Sequence, residues 1–255
     1  MSAGANSALG TGSSSQTAQP EAPSPKATPD PRHAQARLAV FDFDGTIVDG
    51  QSGSLFSTYL VRHGLITVRT LLRLGWWGLR YKLHLPYRQD EARELIFHDI
   101  SRLGTQRVAA VMRGFHDEVL KPRYRADAVR EVRRRKEEGC LTLLVSATFY
   151  PIAQIAGDFL GADGVSATHM ELDEAGGYTG RVEGEVIAGE AKCRAVRAWG
   201  DERVGAGAWR IAYAYGDHFT DAPLLGSADT CFAVCPGKTL KSLAKRNGWA
   251  ILDWK

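Results

Sequence analysis

Short runs of apolar residues recur along the chain and predict the strands of a sheet. The first run covers residues 38–43, and after a long interval four more follow at 141–146, 164–168, 211–216 and 231–234. Because helical spans separate the later runs, the pattern indicates right-handed βαβ units and a parallel sheet. Turn residues and alternation in 178–186 add a small hairpin. The predicted fold class is α/β, with a Rossmann-like parallel sheet.

Residues 52–136, between the first two predicted strands, have a helical pattern throughout. An insertion of this kind is best explained as a second, smaller domain that lies over the edge of the sheet. We therefore divide the chain into a catalytic core domain, formed by 37–50 and 137–255, and a helical cap, formed by 51–136.

Residues 1–36 are dominated by Ser, Ala, Gly, Pro, Thr and Gln. Such a segment buries too little apolar surface to offset the entropy lost on ordering, so it is predicted to be a disordered tail. It lacks the basic start and apolar centre of a signal peptide. No later stretch approaches the roughly 20 apolar residues that a spanning helix needs, and the expected location is the cytoplasm.

Charge and cysteine usage narrow the class of protein. The 255 residues carry a formal net charge of +3, which is too small to indicate a nucleic-acid partner. The basic run 130–136 is followed by two glutamates and is interpreted as a solvated helix face. The cysteines have no metal-type spacing and are interpreted as free thiols in a reducing compartment: Cys140, Cys193, Cys231 and Cys235.

Two carboxylates, Asp42 and Asp44, stand at the end of the first predicted strand, in Phe41-Asp42-Phe43-Asp44-Gly45-Thr46. A tight turn there aims both acids at one point beyond the end of the strand, where open α/β sheets bind ligands. One acid can attack while the other handles a proton, with a metal ion held between them. The pair is typical of a phosphoryl-transfer enzyme that works through an aspartyl intermediate.

Three further features fall at strand ends or in adjoining loops. The second predicted strand continues into Ser146-Ala147-Thr148, which offers a hydroxyl and backbone amides at a turn. Lys192 lies near the start of a predicted helix, and the predicted strand 211–216 is followed by Asp217 and Asp221. A parallel sheet would bring these positions together along one edge.

In this order, DxDGT, Ser-Ala-Thr, Lys and GDxxxD resemble the motifs of the haloacid dehalogenase (HAD) superfamily of phosphohydrolases. The closest resemblance is to its phosphoserine-phosphatase-like branch, subfamily IB, which carries a helical cap between the first two motifs. The resemblance covers about residues 37–255, and the first and fourth motifs are the specific ones.

The resemblance implies a role for each motif residue. Asp42 is expected to attack phosphorus and form an aspartyl phosphate, while Asp44 protonates the leaving oxygen and then activates water. The cofactor is expected to be Mg²⁺, bound by Asp42, the backbone carbonyl of Asp44 and Asp217. The phosphoryl oxygens are expected to contact Ser146, the amide of Ala147 and Lys192, with Thr46 and Asp221 in supporting positions.

Substrate choice is expected to lie in the helical insertion, because the core motifs handle only phosphate. In relatives specific for phosphoserine, a Glu five positions after the motif Thr is expected to meet the substrate amine. This chain has Gln51 there, and a neutral amide pairs poorly with an ammonium group. This departure argues against phosphoserine itself as the substrate.

Residues 65–85 are rich in Leu and include Trp76 and Trp77. Four arginines fall at intervals that an ideal helix would place on one stripe: Arg62, Arg69, Arg73 and Arg80. Two interpretations are open. The segment is either a cap helix with one solvated arginine face, or an interfacial helix that meets a lipid phosphate or an anionic membrane surface.

The expected function is a Mg²⁺-dependent phosphomonoester hydrolase with a small phosphorylated metabolite as substrate. The first alternative is a phosphatase of a lipid-linked phosphate, such as a phosphatidylglycerophosphate-like headgroup, peripheral to the inner face of the membrane. The second is a catalytically silent binding protein that keeps the fold. The complete motif set argues against the last, because a scaffold has no use for Asp44.

Overall fold

The computed structural model describes residues 35–255, except 84, 87 and 89. In chain order the strands are β1 (Ala36–Asp42), β2 (Leu141–Phe149), β3 (Gly164–Thr168), β4 (Met170–Leu172), β5 (Tyr178–Val182), β6 (Trp209–Gly216), β7 (Thr230–Val234) and β8 (Ala250–Leu252). The α-helices are α1 (Ser52–Arg62), α2 (Val68–Lys82), α3 (Glu91–Ser101), α4 (Thr105–Phe115), α5 (Ala126–Glu137), α6 (Tyr150–Leu160), α7 (Glu190–Arg203), α8 (Ala222–Gly226) and α9 (Lys238–Asn247). The predicted disordered tail lies, but for its last two residues, outside the described part of the chain.

Six strands form one parallel sheet in the order β3-β2-β1-β6-β7-β8. The chain builds outward from β1 to β3 on one side and then from β6 to β8 on the other. The order of strands therefore reverses between β1 and β6, and the crevice beyond their carboxyl ends is where such sheets bind ligands. The predicted α/β class with a parallel sheet is confirmed.

Both faces of the sheet are covered, as expected for parallel strands. Along β1, Leu38 and Val40 belong to one buried cluster, which also contains apolar side chains of α7, α8 and α9. The alternate residues Ala39 and Phe41 belong to the other cluster, with side chains of α5, α6 and the helical insertion. This period of two fixes the direction in which each residue at the end of β1 points.

The hairpin is formed by β4 and β5, which pair antiparallel. Its turn lies in 173–177, where Asp173 Oδ1 accepts the amides of Ala175 and Gly177 at 3.0 Å and 2.8 Å. The prediction of a complete hairpin within 178–186 was therefore wrong in position, because the alternating segment supplies only the second arm. Aspartate acting as a local acceptor is the signal that marks the real turn.

Between β1 and β2 the chain forms five α-helices, α1 to α5. The predicted single stripe of four arginines was wrong, because Arg62 ends α1 while Arg69, Arg73 and Arg80 belong to α2. Gly64, at φ +64°, turns the chain between the two helices. Helix α5, which ends at Glu137, packs against β2 and α6. The division of the chain into core and cap stays a prediction.

No helix within the described residues combines the length and the apolar character needed to cross a membrane.

Candidate active site

The turn after β1 aims the first acidic pair. Asp42 is the last residue of β1 and is buried. The chain then turns through Gly45 at φ +79°, where a Cβ atom would lie 2.0 Å from Oδ2 of Asp217. A side chain at position 45 would occupy the space of that carboxylate. Glycine is thus required both by the left-handed backbone and by the approach of the loop after β6.

Asp42 lies in a buried ion-pair cluster. Lys192 Nζ donates to Asp42 Oδ1 at 2.5 Å and to Asp221 Oδ1 at 2.7 Å. Thr46 Oγ1 donates to Asp42 Oδ2 at 3.1 Å, so both oxygens of Asp42 have a partner. Burial alone would lower the pKa of Lys192, but the two carboxylates raise it, and the amine stays charged.

Asp44 is held by the first turn of α1. Ser52, the first residue of that helix, donates its amide to Asp44 Oδ1 at 2.7 Å, and its hydroxyl lies 2.9 Å from Oδ2. Ser52 Oγ also lies 2.8 Å from the hydroxyl oxygen of Thr148, at the end of β2. Burial raises the pKa of Asp44, and the hydrogen bonds from Ser52 oppose that rise. A carboxyl in this balance can take up and release a proton.

Carboxylate charge exceeds cationic charge at the centre of the site. One oxygen from each of Asp42, Asp217 and Asp221 lies within 4.8 Å of the others, and a single amine, Lys192, contacts two of them. Burial, together with repulsion by Asp221, raises the pKa of Asp217 to about 7. Burial also raises the pKa of Asp42. Hard oxygen donors with uncompensated charge suit Mg²⁺, so the donor set fits that ion.

The end of β2 forms the opposite wall. Ser146 is buried, and its hydroxyl accepts the amide of Thr148 at 3.1 Å. The carbonyl of Ala147 accepts Arg93 Nε at 2.9 Å and the Thr168 hydroxyl at 3.1 Å. Residues 146–148 lie within β2, which continues to Phe149, so the predicted turn at this position was wrong. Because Arg93 is on α3, the insertion delivers a cation to the end of this strand. Burial lowers the pKa of Arg93, while Asp44 acts in the opposite direction.

A family model for haloacid dehalogenase-like hydrolases matches residues 39–226. The chain belongs to this family. The matched range begins within β1 and ends with α8, and so includes every motif residue of the site.

Three relatives of this HAD hydrolase illustrate the range of similar proteins. The phosphoserine phosphatase SerB1 of Mycobacterium tuberculosis is 29% identical over 221 residues, which cover 85% of this chain and 70% of that protein. A histidinol-phosphatase of Neisseria meningitidis is 27% identical, with 86% of this chain and 99% of that protein covered. A Bordetella pertussis protein of unknown function has a solved structure with a TM-score of 0.78 at 27% identity, covering 86% of this chain and 99% of that one.

A structure described as the phospho-aspartyl intermediate analogue of phosphoserine phosphatase has a TM-score of 0.56 at 19% identity, and covers 86% of this chain and 93% of that one. At this identity the likeness concerns the fold. It agrees with the six-stranded parallel sheet of this HAD hydrolase.

The structure brings together all the residues that the motifs of this HAD hydrolase single out: Asp42, Asp44, Thr46, Ser146, Ala147, Lys192, Asp217 and Asp221. Asp221 accepts a hydrogen bond from Lys192, and its second oxygen accepts the His218 amide at 3.2 Å, which are the contacts of a residue that supports Lys192. Their roles in binding and catalysis stay predictions.

Sequence reasoning missed three residues at the site: Ser52, Thr148 and Arg93. Thr148 was visible as a second hydroxyl in the Ser-Ala-Thr run. Ser52 and Arg93 belong to the insertion, and nothing in their local pattern indicates that α1 and α3 place them against the turn after β1 and the end of β2.

Proposed function

We propose that this HAD-family phosphatase is a Mg²⁺-dependent phosphomonoester hydrolase that works through an aspartyl phosphate on Asp42. The observation that carries the proposal is the buried cluster at the end of β1. There a carboxylate bonded to Lys192 lies beside a second carboxylate, Asp44, that is oriented separately by Ser52. The two acids occupy different environments, as the two roles require.

In the first half-reaction a carboxylate oxygen of Asp42 attacks phosphorus, and the bond from phosphorus to the leaving oxygen breaks. Asp44 gives its proton to that oxygen, so the product leaves as an alcohol. In the second half-reaction water attacks the same phosphorus while Asp44 takes a proton from the water. The bond to Asp42 breaks, inorganic phosphate leaves, and Asp44 is protonated again.

Residues around the phosphorus would hold its oxygens and balance their charge. Lys192 is within reach of Asp42 and remains protonated, so it can pair with the negative charge that the transferring group carries. The Ser146 hydroxyl and the backbone amides after it stand at the end of the neighbouring strand. Arg93 adds a second positive charge, fixed to the end of β2 through the Ala147 carbonyl.

Asp42, Asp217 and the backbone carbonyl of Asp44 are the residues that we assign to Mg²⁺. When bound, the ion neutralises charge on the phosphoryl oxygens and on the clustered carboxylates. Asp221 then keeps Lys192 in place and shares its charge, since the Lys192–Asp221 distance is 2.7 Å.

We favour a small phosphorylated metabolite as substrate. Relatives described as a phosphoserine phosphatase and a histidinol-phosphatase support a small phosphate ester. Gln51, which is exposed just before α1, speaks against an ammonium contact at that position and hence against phosphoserine. A lipid-linked phosphate is the second candidate, because α2 exposes several large apolar side chains.

Two assays test the proposal. Hydrolysis of a generic aryl phosphate should require Mg²⁺ and should vanish in Asp42→Asn, whereas metal-independent turnover or an active Asp42→Asn protein would contradict it. A panel of phosphoserine, histidinol phosphate, other phosphorylated metabolites and phosphatidylglycerophosphate in mixed micelles then separates the substrate classes. A kcat/KM for the lipid above those for all the soluble esters would overturn our preference.

A further inference from the structure

Helix α2 carries an apolar stripe that the described residues leave uncovered. Val68, Leu72, Trp76 and Leu79 recur at intervals of three or four residues, which places them on one side of the helix, and Leu83 continues the spacing one residue past its end. Each is between 46% and 73% exposed. Apolar side chains on the surface are usually scattered, so an aligned set of this size marks an interaction surface.

Arginines form the neighbouring stripe of the same helix. Arg69, Arg73 and Arg80 each follow a member of the apolar stripe by one residue and so lie about a quarter turn round the helix. Arg80 pairs with Glu91 at 2.5 Å. Within the described part of the chain, Arg69 and Arg73 have no carboxylate partner.

The arginine stripe opens into a cavity of about 990 Å³ between α2, α3 and β5. Three carboxylates line it (Glu91, Glu94 and Asp99), and so do six arginines: Arg69, Arg73, Arg80, Arg88, Arg102 and Arg181. Asp99 is engaged by the amide and hydroxyl of Thr67, at 2.8 Å and 3.1 Å. Arg80, Arg88 and Arg181 are paired with carboxylates, the last two with Asp90 and Glu171 outside the wall. The surplus positive charge among the described residues therefore lies mainly at Arg69 and Arg73, and it suits an anion.

This cavity is separate from the catalytic centre. It is lined by Glu91, Leu95, His98 and Arg102, which recur every three or four residues on one face of α3 and its C-terminal end. Arg93, which reaches the Ala147 carbonyl near the end of β2, falls about half a turn away on the opposite face. Helix α3 thus stands between the two sites.

We propose that the apolar stripe and the arginine-lined cavity together form a docking surface for a bilayer that contains anionic phospholipid. Lipid phosphates bind Arg69 and Arg73 at the mouth of the cavity, and the apolar stripe enters the boundary between headgroups and acyl chains. Arginine beside a Leu- and Trp-bearing face is the arrangement of an interfacial helix, and the two features point to one amphipathic ligand. The docking is peripheral.

The charge pattern favours a bilayer over a second copy of the chain. Two identical surfaces in a twofold contact would bring Arg69 and Arg73 close to the same cations of the partner, an arrangement that repels. An anionic bilayer supplies phosphates at any position along the stripe. It therefore satisfies both features without a matching arrangement of acids.

The test is co-sedimentation of the full-length wild-type protein with vesicles of phosphatidylcholine alone, or with a third of the lipid replaced by phosphatidylglycerol. Neither lipid carries a phosphomonoester, so binding is measured independently of the proposed catalytic activity. We expect binding to the anionic vesicles only, decreasing as salt is raised. Equal binding to both vesicle types, or to neither, would overturn the proposal.

Matched variants locate the surface. Arg69→Ala with Arg73→Ala should weaken partitioning onto anionic vesicles by roughly 30-fold, taking the usual contribution of each basic residue near an anionic surface. Leu72→Ser with Trp76→Ser should weaken it at least as much. The controls are Lys241→Ala with Lys245→Ala on α9, and Ile251→Ser on β8, and both should bind as wild type does. A loss of binding equal in the controls would overturn the assignment.

Two further measurements distinguish a bilayer from other ligands of this surface. If inorganic pyrophosphate binds the wild type and the Leu72→Ser, Trp76→Ser protein equally while vesicles bind neither, the ligand is a soluble anion and the lipid proposal fails. If the wild type is a dimer by analytical ultracentrifugation and Leu72→Ser with Trp76→Ser makes it a monomer, the stripe is a subunit interface and the proposal fails.

Discussion

Replacing Gly45 by alanine tests how the turn after β1 shapes the active site. A Cβ atom at this position would lie 2.0 Å from Asp217 Oδ2, and ordinary contact begins at 3.4 Å, so the carboxylate must move by about 1.4 Å. The backbone at φ +79° adds a cost of roughly 1–2 kcal/mol for any residue with a side chain. The displacement of Asp217 affects the active site, whereas the backbone cost affects the stability of the fold.

Gly139→Ala is the matched control. Gly139 has φ +78°, and its Cβ would meet no atom within 4 Å, so this variant has the backbone cost without the clash. Both variants should lose roughly 1–2 kcal/mol of unfolding free energy in urea titrations. Only Gly45→Ala should lose kcat/KM, by about 100-fold, since a misplacement of 1 Å can have that effect.

Steady-state hydrolysis of an aryl phosphate, with Mg²⁺ titrated from micromolar to millimolar concentrations, measures both kcat/KM and the metal requirement. Gly45→Ala should also need more Mg²⁺ than Gly139→Ala for half-maximal rate, because Asp217 is one of the proposed ligands. If the two variants have the same kcat/KM and the same Mg²⁺ dependence, the position of Asp217 does not matter and the reasoning is refuted.

Four other outcomes follow from the contacts. Ser52→Ala removes the hydroxyl bonded to Asp44 but keeps the backbone amide, so kcat should fall about tenfold with KM little changed; an unaltered kcat would show that Ser52 does not orient the acid. Lys192→Met leaves Asp42 and Asp221 without their shared cation, and should lower the unfolding free energy by about 3–5 kcal/mol in the absence of metal. Added Mg²⁺ should then raise the unfolding free energy of this variant more than that of the wild type. An equal increase in both proteins contradicts this. Arg135→Met breaks the buried bonds to Tyr215 and Glu131, and should destabilise the fold by a similar amount while kcat/KM per folded molecule stays constant. Chelation by EDTA should abolish turnover and Mg²⁺ should restore it, whereas full activity in the chelator would exclude a metal role.

The parallel sheet, and the edge of it that carries the motif residues, could be predicted because the sequence patterns that mark them are local. An apolar run followed by Asp42 and Asp44 identifies a buried strand and its turn, and the same holds for the strand before Asp217. The parallel arrangement then places these ends together without any knowledge of side-chain contacts. Strand β8 has only three residues, all at least partly exposed, so it lacks the buried apolar run by which the other strands were recognised.

Contacts between the insertion and the core could not be predicted from local pattern. Ser52 lies eight residues after Asp44, and its role depends on where α1 begins and on how that helix approaches β1. Arg93 reaches Ala147 across 54 positions of sequence. The helix break at Gly64 likewise separated Arg62 from the other arginines, although ideal helical spacing would align all four.

Trapping of the covalent intermediate is the most direct test of the central claim. Asp44→Asn retains the nucleophile but lacks the base for the second half-reaction, and an aryl phosphate needs little help from an acid to leave. The variant should be mixed with aryl phosphate and Mg²⁺, quenched in acid within milliseconds to seconds, digested and analysed by mass spectrometry. The account predicts one phosphoryl group on the peptide that carries Asp42, formed together with a burst of the aryl alcohol. A burst with no phosphorylated peptide, or with the phosphoryl group on another residue, would contradict it.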